Sequence, residues 1–371
     1  MNLDQAERTS ERAPQVERHD TVVVGGGQAG LAVGQQLSGL GRDFVILDAL
    51  DRVGDNWRRH YDSLRLYNPA RMCSLPGRPF PGPGDRFPMR DEVAAYLEDY
   101  ASSLDLPVRS GVRVERVESR PGGYLVIAGE RTYEAANVVV ATGTFGRPWV
   151  PPFATELDHD ILQLHSSEYR DPSQLRPGPV LVVGASHSGA DVANELADEH
   201  AVTLAGHVHG QAPFDIEGKV AKLLWPVLGF MARHVLTLRT PVGRKARPEI
   251  RAHGGPLLRY RSSDLTGKGV EMIAERVTGA IDGQPVLESG RSMDVANVVW
   301  STGFRQDFSW IRLPIIDDDG WPREHRGVVE ETPGLYFMGL AFQYSFSSML
   351  LLGVGRDARH VVTHLAKHRP E

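Results

Sequence analysis

Two short stretches carry residue types that could hold a phosphate. Gly25-Gly26-Gly27-Gln28-Ala29-Gly30 follows the apolar run Val22–Val24, and residues 181–192 read LVVGASHSGADV. In the first, the glycine spacing suits a strand-to-helix turn of the dinucleotide-binding kind. Gly25 permits the tight turn, Gly27 clears a path for a pyrophosphate, and Gly30 lets helix and strand pack closely. The pyrophosphate then meets free N–H groups at the positive end of a helix. Asp48 ends the next apolar run, where a carboxylate can accept from a ribose hydroxyl. In the second stretch Gly184 and Gly189 match, but Ser186 fills the middle position. Serine is small and brings a hydroxyl donor, and His187 and Ser188 stand at the expected helix start. This turn either holds a nucleotide too or only packs a strand on a helix.

Both turns sit in a larger repeat. Residues 21–48 and 179–206 each give an apolar strand, a glycine turn, a helical stretch and a second strand. Gly25 aligns with Gly184, Gly30 with Gly189 and Leu37 with Leu196. ANVVVATGTF (136–145) and ANVVWSTGF (296–304) form a second matched pair, at nearly the same distance from their turns. A repeated βαβ unit with its closing strand predicts an α/β protein with two Rossmann-like dinucleotide-binding domains.

The bulk properties agree. The chain has 371 residues, 41% hydrophobic and 24% charged, enough for two domains. A net charge of -6 argues against a nucleic-acid partner. Cys73 stands alone, so no intrachain disulfide forms. Residues 1–19 mix acids and bases with few apolar side chains, which predicts a solvated tail and not a signal peptide. No apolar run is long enough to span a membrane, and a cytoplasmic location is expected. Residues 220–238, VAKLLWPVLGFMARHVLTL, predict one or two amphipathic helices. A core-facing or homodimer-facing pair is preferred there over a membrane-surface role.

The turns, the segments Ala141-Thr142-Gly143 and Ser301-Thr302-Gly303, and the stretches GDNWRRHYDSLRLYNP (54–69) and PGLYFMGLAFQYSFSSMLLLGVGRDA (333–358) carry a resemblance. Over roughly residues 20–365 the chain resembles class B flavin-dependent monooxygenases. It is most similar to the short, soluble bacterial subgroup related to plant indole-pyruvate monooxygenases. The resemblance implies FAD on the first turn, with Gly25, Gly27, Gln28, Ala29, Gly30 and Asp48 at its ADP part. Trp57 then walls the flavin, Thr142 and Gly143 lie close to it, and Val114, Thr302 and Gly303 are further cofactor contacts. NADPH or NADH goes to Gly184, Ser186, His187, Ser188 and Gly189. The FAD domain is then discontinuous, 20–150 and 298–371, around an NAD(P)H domain of 151–297.

Three side chains are candidates for finer roles. The family signature F-x-G-x-x-x-H-x-x-x-Y appears as HDILQLHSSEY (159–169), with His165 and Tyr169 in place and His159 and Ile161 as departures. His165 either couples the domains or is a linker histidine satisfied by backbone groups. Asn68 resembles the asparagine set near the reactive flavin edge, although Tyr67 is one residue away and Asn68 is also a natural turn residue before Pro69. His207 stands about where relatives place an arginine that grips a 2′-phosphate. Lys219 or Arg170 is the alternative.

The reaction implied by the resemblance consumes NADPH or NADH and O2. One oxygen atom passes through a C4a-peroxyflavin to a small organic substrate, and the other leaves as water. The cofactor carries that chemistry, and the protein orients it and excludes water. No metal is expected. Two other readings remain: an NAD(P)H-dependent flavin oxidase or reductase that releases hydrogen peroxide, and a non-catalytic nucleotide-binding sensor. A cysteine pair of the kind used by disulfide-reductase flavoproteins is missing.

Overall fold

The computed structural model describes residues 15–367. Its core is two largely parallel sheets. The first runs in the order Val108–Arg109, Phe44–Leu47, Gln15–Val24, Arg131–Val140, Gly123–Ala128, Arg116–Arg120. Leu335–Phe337 adds a parallel partner to the far half of Arg131–Val140. Val22, Val23 and Val24 lie between Val45-Ile46-Leu47 and Val138-Val139-Val140, all in parallel register. These near-continuous apolar runs are buried, as parallel strands covered on both faces should be.

The second sheet has the order Glu271–Ile273, Val202–Ala205, Val180–Val183, Asn297–Trp300, Leu162–His165, parallel throughout. Each sheet therefore has a central strand that ends in a glycine turn, followed by a helix: Gln28–Gly39 in the first and His187–Leu196 in the second. The first helix shares its core with the C-terminal helix Leu351–Leu365 through Leu31, Leu37, Val354 and Val361. The expected fold class, α/β with two Rossmann-like units, is the one observed.

Three expectations change. The solvated tail does not reach residue 19, because Gln15–Val24 is one strand and Glu17, Arg18 and His19 pair with Tyr133, Glu134 and Ala135. Residues 1–14 lie outside the described residues. The second sheet also runs past 297, since Asn297–Trp300 is an inner strand of it. The chain leaves that sheet at Ser301. Finally, of the core-facing and homodimer-facing readings of residues 220–238, the core-facing one does not hold. These residues form the helix Lys219–Phe230, a π-helical turn Met231–Val235 and an irregular return. Val220, Leu223, Val227 and Phe230 remain exposed on it.

Candidate active site

The first turn is shaped by two contacts that leave one gap. Gly25 has φ +112°, and a Cβ there would stand 2.6 Å from Ala141 O. A Cβ on Gly30 would stand 1.9 Å from Gly25 O. Strand, turn and helix thus demand those two glycines. Gly27 differs: its backbone is extended (φ -77°, ψ -172°), and an added Cβ would meet only Asn56 Nδ2, at 3.6 Å. Nothing in the protein requires glycine at 27. The helix behind it starts without a side-chain cap, so its first N–H groups keep free donor capacity. This is the geometry that a pyrophosphate fits.

The surroundings support that fit. Asp48 follows the strand Phe44–Leu47 and is almost buried, with Oδ1 accepting from Leu50 N at 3.1 Å. Burial raises its pKa, and N–H donors from Leu50 and Gly26 oppose the rise. Val112 N donates to Asp48 O at 2.8 Å, and Val114, two residues on, is partly buried against the core on the sheet's other face. Gln28 Nε2 donates to Met349 O at 2.9 Å and ties the turn to the C-terminal segment. Ala29 is buried under Gly339. Trp57 packs against the first core, and its buried Nε1 has no protein acceptor. A donor left unmade in such a place costs about 1–3 kcal/mol unless a bound group accepts it.

The second turn repeats the backbone. Gly184 has φ +113°, and Cβ atoms on Gly184 and Gly189 would stand 2.3 Å from Ser301 O and 2.0 Å from Gly184 O. Ser186 is extended (φ -104°, ψ -177°), so serine is accommodated there without backbone strain. Its environment is not repeated. Gly254 and Gly255 lie over the turn: a Cβ on Gly254 would be 2.9 Å from Ser186 Cβ, and one on Gly255 would be 2.7 Å from His187 Nδ1. His187 meets Tyr67 edge-on at 5.0 Å. Its buried Nδ1 makes no close hydrogen bond among the described residues, and desolvation pushes the ring's pKa down to about 4 against the pull of the Gly255 backbone. Ser188 sits half-buried in the first helical turn.

Beyond the next strand His207 is exposed, as is Lys219. Arg170 is occupied, because its Nη1 donates to the carbonyls of Arg59, Ser167 and Tyr169. Of the three candidates for a 2′-phosphate, His207 and Lys219 are the ones left free to reach it.

The two crossings between the sheets mirror each other. Gly143 and Gly303 have φ +80° and +81°. Phe304 and Arg305 pair with Pro148 and Arg147 in a short antiparallel ribbon, and Thr302 Oγ1 donates to Trp149 O. Thr142 is exposed beside Gly25. His165 ends the outer strand of the second sheet and is 2% exposed. Its Nε2 donates to Gly303 O at 3.0 Å, and its Nδ1 accepts from Ser167 N at 3.1 Å. Burial lowers its pKa. Both ring nitrogens are used by the protein, so the ring pins a crossing in place and offers neither nitrogen to a reactant. Tyr169 is fully buried and donates to Glu195 Oε2 at 3.0 Å.

Asn68 lies half-buried just before the short helix Ala70–Met72. Its amide meets only Cys73 Sγ, at 3.9 Å, among the described residues. The Cys73 thiol is buried and pushed up to about 12 by desolvation. Tyr67 is committed elsewhere, because its hydroxyl donates to Asp191 Oδ2 at 2.8 Å.

Asp191 was missed from sequence. It lies on the helix behind the second turn, 7% exposed. It accepts from Tyr67 and, at 3.1 Å, from Tyr61, and it faces Arg259 at 3.5 Å. Arg259 also donates to Glu217 Oε1 (2.8 Å) and Leu66 O (2.8 Å). Burial raises the pKa of Asp191, against the pull of Arg259. The cluster joins segment 54–69 to the second turn's helix. One signal was available: an acid two residues past Gly189, on a helix face whose neighbours Gly189, Ala190, Val192 and Ala193 are all small or apolar.

Among the described residues no helix is long and apolar enough to cross a membrane, and no cluster of His, Cys, Asp or Glu could hold a metal.

Known proteins share this arrangement. The sequence pattern of the family described as pyridine nucleotide-disulphide oxidoreductase matches residues 22–223. The chain is 37% identical to a protein of Geobacillus kaustophilus named "Uncharacterized oxidoreductase CzcO-like", over 94% of this chain and 99% of that protein. It is 29% identical to an indole-3-pyruvate monooxygenase of Oryza sativa subsp. japonica, over 94% and 93%. A flavin-containing monooxygenase from Stenotrophomonas maltophilia has a similar solved structure, with TM-score 0.76, 27% identity, and 95% and 99% coverage.

Proposed function

The chain belongs to the pyridine nucleotide-disulphide oxidoreductase family and is a flavin-dependent enzyme of the class B monooxygenase kind, and from that premise we propose that it uses FAD and NADPH or NADH to put one oxygen atom of O2 into a small organic substrate. The observation that carries the reading is the gap at Gly27. Packing and backbone geometry account for Gly25 and Gly30, whereas the protein leaves Gly27 open, as the path of a pyrophosphate would need. FAD takes the first turn and the first sheet, and the nicotinamide nucleotide takes the second turn. The family's name includes a disulphide, but the single buried Cys73 has no partner with which to form one. Burial holds that thiol at a pKa of about 12, which leaves too little thiolate to attack a substrate disulphide.

Bound FAD supplies hydride acceptance and oxygen activation at C4a. The protein's part is binding and placement. Asp48 accepts from the adenosine ribose, and the N–H groups around Gly27 and Gln28 meet the pyrophosphate. Trp57 would wall the flavin, and its unused Nε1–H would be available to an acceptor there. The Asn68 amide, which meets only Cys73 Sγ among the described residues, would serve as a hydrogen-bond donor to the bound flavin's reacting edge. His165 holds the carbonyl of Gly303 and with it the geometry of one crossing, acting as a positioning residue.

The test is one reaction vessel in which NADPH oxidation, O2 uptake, hydrogen peroxide and oxygenated product are followed together over a panel of amines, sulfides and 2-oxo acids. Product in near-equal amount to NADPH supports the proposal. Peroxide in that amount for every compound would replace it with an oxidase.

A further inference from the structure

The helix Lys219–Phe230 and the turn after it carry an apolar ridge that the proposed chemistry does not use. Val220, Leu223, Val227, Phe230 and Met231 fall on one side of the helix. They are 62%, 80%, 56%, 60% and 41% exposed. The opposite side is already taken. Ala221 and Gly229 are buried, and a Cβ on Gly229 would stand 2.8 Å from Met72 Cε. Trp225 packs edge-on against Phe87 at 6.1 Å and donates to Ile216 O. The ridge thus faces outward because the helix is fixed from behind. On the following helix Pro241–Ala252, Val242 is exposed as well, at 59%.

The charge pattern of the same segment is one-sided. From Gly218 to Pro248 there is no Asp or Glu, in a chain whose net charge is -6. Lys219, Lys222, Arg233, Arg239, Arg244 and Lys245 all lie there, and none has a carboxylate within 4.0 Å among the described residues. Arg247, also in this stretch, is neutralised by Glu324 at 3.1 Å. Arg244 folds back to the carbonyls of Leu238 and Arg239, and Arg356 donates to Arg233 O. Lys219, Lys222, Arg239, Arg244 and Lys245 are exposed along the helix and the return that follows it.

We propose that this face docks on an anionic lipid surface. The apolar ridge enters the boundary between headgroups and acyl chains, and the flanking cations meet lipid phosphates. A second copy of the chain fits less well. A two-fold contact sets a patch against itself, and here that gathers two sets of unpaired cations, with no acid in the segment, into one interface. A lipid surface supplies both what the ridge lacks and what the charges lack. The mode is docking and not spanning, since no described helix is long and apolar enough to cross.

Each Lys or Arg at an anionic surface strengthens binding by roughly fivefold, and salt weakens that contribution. The test mixes the FAD-loaded protein with sedimentable vesicles of equal phosphatidylcholine and phosphatidylglycerol, or of phosphatidylcholine alone, at about 0.1 M and about 0.5 M salt. Expected are binding to the anionic vesicles at least about tenfold tighter than to the neutral ones, and release at high salt. Leu223→Asp and the exposed pair Arg244→Glu with Lys245→Glu should each cut binding about tenfold or more. Flavin absorbance and Tm confirm that each variant is folded, and the salt comparison needs no variant. Equal binding to both vesicles, no binding to either, or variants that sediment like the parent would overturn the proposal. A dimer that Leu223→Asp dissociates, without vesicle binding, would overturn it in favour of a second copy.

Discussion

The two glycine turns have nearly the same backbone and different surroundings. Gly25 and Gly184 differ by one degree in φ, and Gly30 and Gly189 are pressed against the preceding turn to within 0.1 Å of each other. The middle positions, Gly27 and Ser186, are both extended. The backbone motif therefore makes a turn but does not say what the turn holds. That information lies in the space above it. Over Gly27 the space is open. Over Ser186 and His187 it is closed in by Gly254 and Gly255. A cofactor that stays bound suits the first, and a nucleotide that comes and goes past a loop suits the second.

The largest expected effect breaks the comparison at its middle residue. Gly27→Val fills the open path, and the purified protein should lose essentially all flavin absorbance near 450 nm, a shift of roughly 100-fold or more in affinity. Far-UV circular dichroism should stay unchanged, because nothing in the protein touches that position closely. Retention of full yellow colour would remove FAD from this turn.

Asp191→Ala should act next most strongly, and on the link between the turns. It leaves Arg259 buried against a missing charge and strips two tyrosine hydroxyls of their acceptor. A cost of about 3–5 kcal/mol is expected in a denaturant titration. Asp191→Asn keeps an acceptor and should cost less. If both variants unfold like the parent, the cluster does not hold segment 54–69 to the second unit.

Ser186→Val tests the second turn alone. A branched side chain there meets the segment at Gly254 and crowds the nucleotide path, so KM for NADPH should rise roughly tenfold. Flavin content should not move. A variant with unchanged KM would mean that the nucleotide does not pass over residue 186.

Much of this was legible in the sequence, for identifiable reasons. The repeat of strand, glycine turn and helix is local and periodic, so Val22–Val24, Val180–Val183 and their turns could be placed, and with them the fold class. The tail boundary was misplaced because QVERHD alternates apolar and charged residues weakly, and pairing with Arg131–Val140 overrides its polarity. The helix Lys219–Phe230 was expected to face the core or a second copy, because an apolar stripe usually marks a buried face. Here the buried face is the small one, Ala221 and Gly229. Asp191 and the cover of Gly254 and Gly255 were invisible because their partners come from residues 61, 67 and 259 and from a loop some 70 residues away. No single-sequence pattern encodes contacts of that range.

The smallest expected effect concerns the ring under that cover. His187 is half-buried with its Nδ1 inside, and desolvation lowers its pKa from the ordinary 6.5 to about 4 against the pull of the Gly255 backbone. Folding therefore favours the neutral ring. Below about 6.5 the unfolded chain takes up a proton that the folded chain does not, so this contribution to stability is complete above 6.5 and is lost as pH falls toward 4. Tm of the parent should decline across that window. His187→Gln cannot take up the proton and should flatten part of the decline while leaving Tm at pH 8 within a few degrees. The flattening will be partial, because His60 and His360 are also held down to about 4. The first turn offers an internal control, since no histidine lies in it and FAD retention should show no break over the same range unless the whole fold gives way. Parallel Tm profiles for parent and variant from pH 8 to pH 4 would mean that solvent reaches the ring and that the second turn is as open as the first.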